Sequence, residues 1–157
     1  MKKNILIIGP QMSGKTRMSN YIIDNLNIDF NKKVKYGCLF FKKIHFENPH
    51  LFSDMDIDTK IVVFEDIKKS IFSEIYTYID CNQLIINPKH LKPFSIYPVV
   101  IAVFDEKIKE YDFKLADFKE KFHVINLFEH TFEDYMKDEL LNEELNLIIK
   151  KTNLSIQ

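Results

Sequence analysis

"NILIIGPQMSGKTRM", residues 4–18, runs from a short apolar stretch into two of the three glycines that the whole 157-residue chain contains. Ile5 to Ile8 is aliphatic throughout, as a parallel strand covered on both faces requires. Beyond the glycines, Met18, Ile22, Ile23 and Leu26 recur at helical spacing on one side of the segment from Lys15 to Leu26. The expected order is strand, glycine loop, helix.

Within it, "GPQMSGKT" from Gly9 to Thr16 fits the P-loop pattern G-x-x-x-x-G-K-S/T without a mismatch, between the predicted strand and helix that give the pattern its meaning. In such a loop Gly9, Pro10, Gln11, Met12, Ser13 and Gly14 curl round a phosphate, offering backbone N–H groups and the positive end of the next helix. Lys15 would reach the β- and γ-phosphates, and the Thr16 hydroxyl would ligate Mg²⁺. Arg17 follows on the first helix, either solvated or near the α-phosphate. ATP with Mg²⁺ is therefore the expected ligand.

Further along, a strand is expected over Val34 to Phe41. "KIVVFEDI", Lys60 to Ile67, reads as a buried strand ending in two acids. Glu65 and Asp66 there resemble a Walker B pair, in which one carboxylate holds the metal shell and the other polarises the attacking water. Glu before Asp inverts the commoner order, so the division of labour between them stays open. Ile67, Ile71, Ile75 and Ile79 recur every four residues, which predicts an amphipathic helix.

"NQLIINPKHLKPFSI" reads as a hairpin or extended arm turning at Asn87-Pro88. "YPVVIAVFD" is a fourth core strand, Glu106 to Lys121 a helix, and "FHVINLF" from Phe122 a fifth strand. A last helix opens at Thr131, capped through Asp134 three residues on, and closes at Lys150 and Lys151 against the helix dipole. Alternating strands and helices predict an α/β fold with a mainly parallel five-stranded sheet, the three-layer sandwich of a P-loop NTPase, in one domain over 1–157.

With 46% hydrophobic and 29% charged residues the composition is that of a folded globular chain. A formal net charge of −1 excludes coating of nucleic acid or membrane by bulk electrostatics and leaves only a local patch for such binding. Cys38 and Cys81 lack a C-x-x-C partner, so neither zinc nor a disulfide framework is expected. The apolar run Ile5–Ile8 is shorter than the roughly 7–15 residues of a signal-peptide core, and no run approaches a membrane span. A cytoplasmic protein without a membrane partner is the expectation.

The P-loop, the E-D strand end and the stretch "IYTYIDCNQLIINPKHLKPFSIYPVVIAVF" together resemble the superfamily 3 helicases and their AAA+ relatives, found in replication proteins of small viruses and plasmids. In that family a hairpin bearing lysines touches single-stranded DNA, which by resemblance gives that role to Lys89 and Lys92, with His90 between them. "DFKEKFHVINL", Asp117 to Leu127, is similar to the AAA+ segment leading into the last core strand. With the first strand opening at residue 4, no nicking or origin-binding domain is expected ahead of it.

Two departures from the family bear on activity. The fourth strand ends in Phe104 and Asp105 where a sensor asparagine is expected, and a carboxylate there would repel a γ-phosphate. Arg17 is the sole arginine in the chain, so an arginine finger must come from a partner protein, or Lys119 or Lys121 of a neighbouring subunit in a homo-oligomer must replace it less effectively. Fingers supply roughly 10³ to 10⁵ in rate, which makes a slow Mg²⁺-dependent ATPase the expected activity. The alternatives are a nucleotide-binding module without catalysis and a small-molecule or nucleotide kinase, the latter disfavoured by the scarcity of arginine.

Overall fold

The computed structural model describes residues 4–27, 34–36, 57–67, 84–86, 90–104 and 122–156. Seven strands and three helices lie among them: β1 (Asn4–Ile8), α1 (Lys15–Asp24), β2 (Val34–Tyr36), β3 (Ile61–Ile67), β4 (Leu84–Ile86), β5 (Phe94–Ile96), β6 (Val99–Phe104), β7 (Phe122–Asn126), α2 (Phe132–Lys137) and α3 (Glu139–Ile156). Five strands form one sheet in the order β2-β3-β6-β1-β7, and every pairing in it is parallel. The α/β class and the parallel sheet expected from the apolar runs are thus present.

β1 is central because its residues are apolar on both sides. Ile5 to Ile8 are all fully buried, and the sheet buries two sets of side chains. Ile5, Ile7, Ile61, Val63, Val99, Ile101, Val103 and Ile125 join Met18 and Ile22 of α1 with Leu145 and Ile149 of α3 in one core. Leu6, Ile8, Val62, Phe64, Val100, Ala102 and Phe104, which alternate with these, are buried as well. Burial on both faces is what a parallel sheet needs, because neither face carries polar side chains to meet water.

The expected hairpin is there: β4 and β5 pair antiparallel, with Leu84 opposite Ile96 and Ile86 opposite Phe94. It forms its own two-stranded sheet. The helices expected over 67–79 and 106–121, the end of the strand expected over 34–41, and Cys38 and Cys81 lie outside the described residues.

The last helix differs from expectation. A capping box at Thr131 and Asp134 opens α2 as predicted, but the helix stops at Lys137. Asp138 takes an extended conformation, φ −85° and ψ 124°, and its carboxylate accepts from the Leu141 N–H. It is a second N-cap, so a new helix starts at Glu139. α3 then runs to Ile156, which places Lys150 and Lys151 within its body and not at a dipole end.

Ser19 is fully buried on α1 and its hydroxyl has no hydrogen-bond partner among the described residues. An unpaired buried hydroxyl costs about 1–3 kcal/mol of desolvation. Ser19→Ala is therefore expected to raise stability by about 1 kcal/mol in urea unfolding, and a loss of stability of that size would show that the hydroxyl has a role in packing.

Candidate functional site

Parallel strands end at the same edge of a sheet, so the carboxyl ends of β1, β3, β6 and β7 share that edge. From β1 the chain leaves toward β2 and β3, whereas from its neighbour β6 it leaves toward β7 on the opposite flank. This divergence between adjacent strands makes a crevice at the carboxyl ends, the usual binding place in open α/β sheets. The loop 9–14 lies at that point.

Its two glycines are fixed by close contacts. A Cβ on Gly9 would lie 2.5 Å from Ser13 Oγ and 2.7 Å from Leu127 Cβ. Gly14 has φ +91°, and a Cβ on it would lie 2.5 Å from Phe132 Cβ. Met12 also takes a positive φ, 63°, and is 96% exposed at the loop tip.

Ser13 is buried and closes the turn, its Oγ donating to the Pro10 carbonyl at 2.7 Å. Lys15, half-buried at the start of α1, folds back and donates from Nζ to the Gly9 carbonyl at 2.6 Å and toward that of Pro10 at 3.4 Å. A cation thus lies over the loop.

The beginning of α1 is electrostatically open. Gly14 as N-cap supplies no side-chain hydrogen bond, and the first turn contains no acid. The leading N–H groups of a helix have no acceptor within it, and their partial positive charge attracts anions. Thr16 and Arg17 in this turn are exposed, as are Pro10 and Gln11 before it.

Arg17 does not face a phosphate position alone. Its guanidinium pairs with Glu133 and stacks 4.6 Å from the centre of the Phe132 ring. Tyr21 meets the same ring edge-on at 6.1 Å. The Phe132 N–H donates to the Ser13 carbonyl at 3.0 Å, and the Leu127 N–H to that of Ile8 at 2.7 Å. Together, Leu127 and the start of α2 form a buttress under the loop.

Leu127, Phe132 and Glu133 have no signal in the local sequence that would link them to residues 9–17. The connection comes from strand order, which sets β7 beside β1 with Ile8 opposite Asn126.

The acids at the end of β3 occupy an irregularity. Phe64 stands opposite Ala102 and Ile67 opposite Phe104, so three steps on β3 match two on β6. The additional residue falls at Glu65–Asp66, and bulges of this kind re-aim chain ends near binding sites. Glu65 is half-buried; the side chain of Asp66 lies outside the described residues. One strand, β6, separates β3 from β1, which puts the acids about 10 Å from the loop's strand at the common strand spacing.

Thr16 and Glu65 are the described side chains here that could serve the metal of a magnesium nucleotide. Mg²⁺ prefers one or two carboxylates and a hydroxyl together with phosphate oxygens over a cage made wholly of protein. No cluster of three His, Cys, Asp or Glu suited to a metal occurs among the described residues.

A separate cavity of about 240 Å³ beside β7 is lined by Asn126, Glu129, His130, Tyr135 and Glu144 among others. Burial, with the charges of Glu144 and Glu129, pushes the Tyr135 hydroxyl up to about 12. A site this acidic repels a triphosphate, so it does not compete with the loop.

The hairpin residues are only partly placed. His90, at φ 65°, and Lys92 are exposed, with Leu91 between them 71% exposed, whereas Lys89 lies outside the described residues, as do Asp105, Lys119 and Lys121. β4–β5 shares no pairing with the main sheet among the described residues, so nothing here joins the lysines to the loop. No helix among the described residues is long and apolar enough to cross a membrane.

No known protein family matches the chain, and neither does any curated protein. Among solved structures the chain is similar to the A-form apo structure of the NrS-1 C-terminal region, at a TM-score of 0.48 and 18% identity over 96% of this chain and 35% of that one. It is also similar to a second apo structure of the NrS-1 C-terminal region, at a TM-score of 0.47 and 17% identity over 98% of this chain and 38% of the other. This chain thus spans little more than a third of those chains.

Proposed function

We propose that the chain is an ATP-binding P-loop NTPase and a slow Mg²⁺-dependent ATPase, with the loop Gly9–Thr16 as its nucleotide site. The observation that carries this reading is the uncapped positive end of α1 behind a glycine-fixed loop, with Lys15 folded over it, at the divergence of β1 and β6. In this reading Lys15 would turn from the Gly9 and Pro10 carbonyls to the β- and γ-phosphates. Gly14, Lys15 and Thr16 would offer their N–H groups, and Thr16 with Glu65 or Asp66 would hold Mg²⁺, which would supply neutralising charge for the phosphates. The remaining acid orients the attacking water and takes up its proton.

Slow turnover follows from the arginine count. Arg17 is the only arginine, and it is occupied by Glu133 and Phe132. The transition-state charge is thus left to Lys15, the helix end and the metal unless a partner protein adds an arginine. A nucleic-acid role in the manner of superfamily 3 helicases is supported by the hairpin and by exposed His90 and Lys92 near its turn.

The test is calorimetric titration with ATP and Mg²⁺, followed by phosphate release with and without single-stranded DNA. Binding is expected, with turnover that Asp66→Asn slows far more than it weakens ATP affinity, because a group acting on water works in the transition state. No binding heat refutes the reading. Binding without phosphate release converts it to a nucleotide-binding module.

A further inference from the structure

Three large apolar side chains project from α3 into solvent: Leu140, Leu147 and Leu154, which are 76%, 51% and 65% exposed. They repeat every seven residues. At 3.6 residues per turn they stray over only about 40° of arc, on the side away from buried Leu145, Ile149 and Thr152. Helix rise spaces them by about 10 Å, so they form one continuous seam along the helix.

The charges beside this seam are ordered. Glu144 and Lys151 lie on one flank, one heptad apart, and Glu143 and Lys150 lie likewise on the other; all four are exposed. Each flank is therefore acidic in its first half and basic in its second, with Leu147 at the midpoint.

We infer that α3 is a self-association surface, on which a second copy of this chain packs its own α3 antiparallel across a two-fold axis at Leu147. The two-fold sets Leu140 against Leu154 of the second copy and Leu147 against its equivalent. In an antiparallel pair like flanks meet, so Glu144 faces Lys151 of the second copy and Glu143 faces its Lys150, each offset by about one residue rise of 1.5 Å. That gives four attractive pairs beside the leucine seam, and charges flanking such seams choose partner and orientation.

The parallel arrangement is excluded by the same residues. There unlike flanks meet, so Glu143 lies beside Glu144 and Lys150 beside Lys151, and every flanking contact is repulsive. This surface does not involve the loop 9–17, and the inference stands apart from the nucleotide reading.

The experiment is sedimentation of the full chain over a range of concentrations. Wild type is expected to approach twice the chain mass as concentration rises. Glu143→Lys with Glu144→Lys makes all the flanking charges basic, and Lys150→Glu with Lys151→Glu makes them all acidic. Each variant alone is expected to associate at least about tenfold more weakly, and an equimolar mixture of the two to recover the dimer. All four positions are exposed, so circular dichroism of each variant should match wild type. A wild-type monomer at every concentration, or a dimer indifferent to both charge reversals, overturns the inference.

Discussion

Lys15→Ala is expected to cut the affinity for ATP with Mg²⁺ on the order of 100-fold while leaving the fold intact. Charge-assisted hydrogen bonds contribute about 1.5–3 kcal/mol each, and at about 1.4 kcal/mol per decade one such loss reaches that factor. The fold survives because Lys15 is only half-buried and the Gly9 and Pro10 carbonyls that it meets sit in a loop open to water once the ammonium is gone. Calorimetry on parent and variant, with thermal unfolding of both, checks the two halves of the claim. Equal affinities would remove the loop as the nucleotide site.

Gly14→Ala is expected to be strongly destabilising for a single added methyl group. The left-handed conformation at φ +91° costs an L-residue about 1–2 kcal/mol, and a Cβ at 2.5 Å from Phe132 Cβ must push the start of α2 away, at about 1–3 kcal/mol for overpacking. Together these take a large share of the 5–15 kcal/mol typical of a domain and correspond to a fall in Tm of about 10 °C. The displaced Phe132 would also loosen its bond to the Ser13 carbonyl, so the loop loses shape along with stability. Urea and thermal unfolding measure the effect; a variant within ~0.5 kcal/mol of the parent would mean that α2 yields without resistance.

Sequence pattern reveals the frame of this molecule because its strands are marked by uninterrupted apolar runs. Ile5–Ile8, Ile61–Phe64 and Val99–Phe104 are buried on both faces, and such runs have no other stable place. The glycine spacing likewise located the loop, and the Asn87-Pro88 signal predicted the pairing of β4 with β5 on either side of it. The break at Asp138 was written in the chain as well, since Asp138 precedes Leu141 by the spacing of a cap, but the stronger box at Thr131 hid it. The buttress of Leu127, Phe132 and Glu133 was not legible, because it depends on which strands become neighbours. Arg17 illustrates this: its place after the glycine loop suggests either water or a phosphate as its neighbour, and only the packing of α2 supplies Glu133 and Phe132 instead.

The pairing of β1 sets a timetable for the nascent chain. Residues 4–8 leave the ribosome well before their partners, residues 101–103 and 122–126. At about 5–20 residues per second, the interval between Ile8 and the start of α2 is on the order of 6–25 s. Until β6 is made, Ile5–Ile8 has no neighbouring strand to pair with, and until α2 is made the loop behind it lacks the Phe132 part of its buttress. Sheet formation by β1 therefore waits on the synthesis of β6 and β7, and the delay leaves Ile5–Ile8 open to contact with other chains.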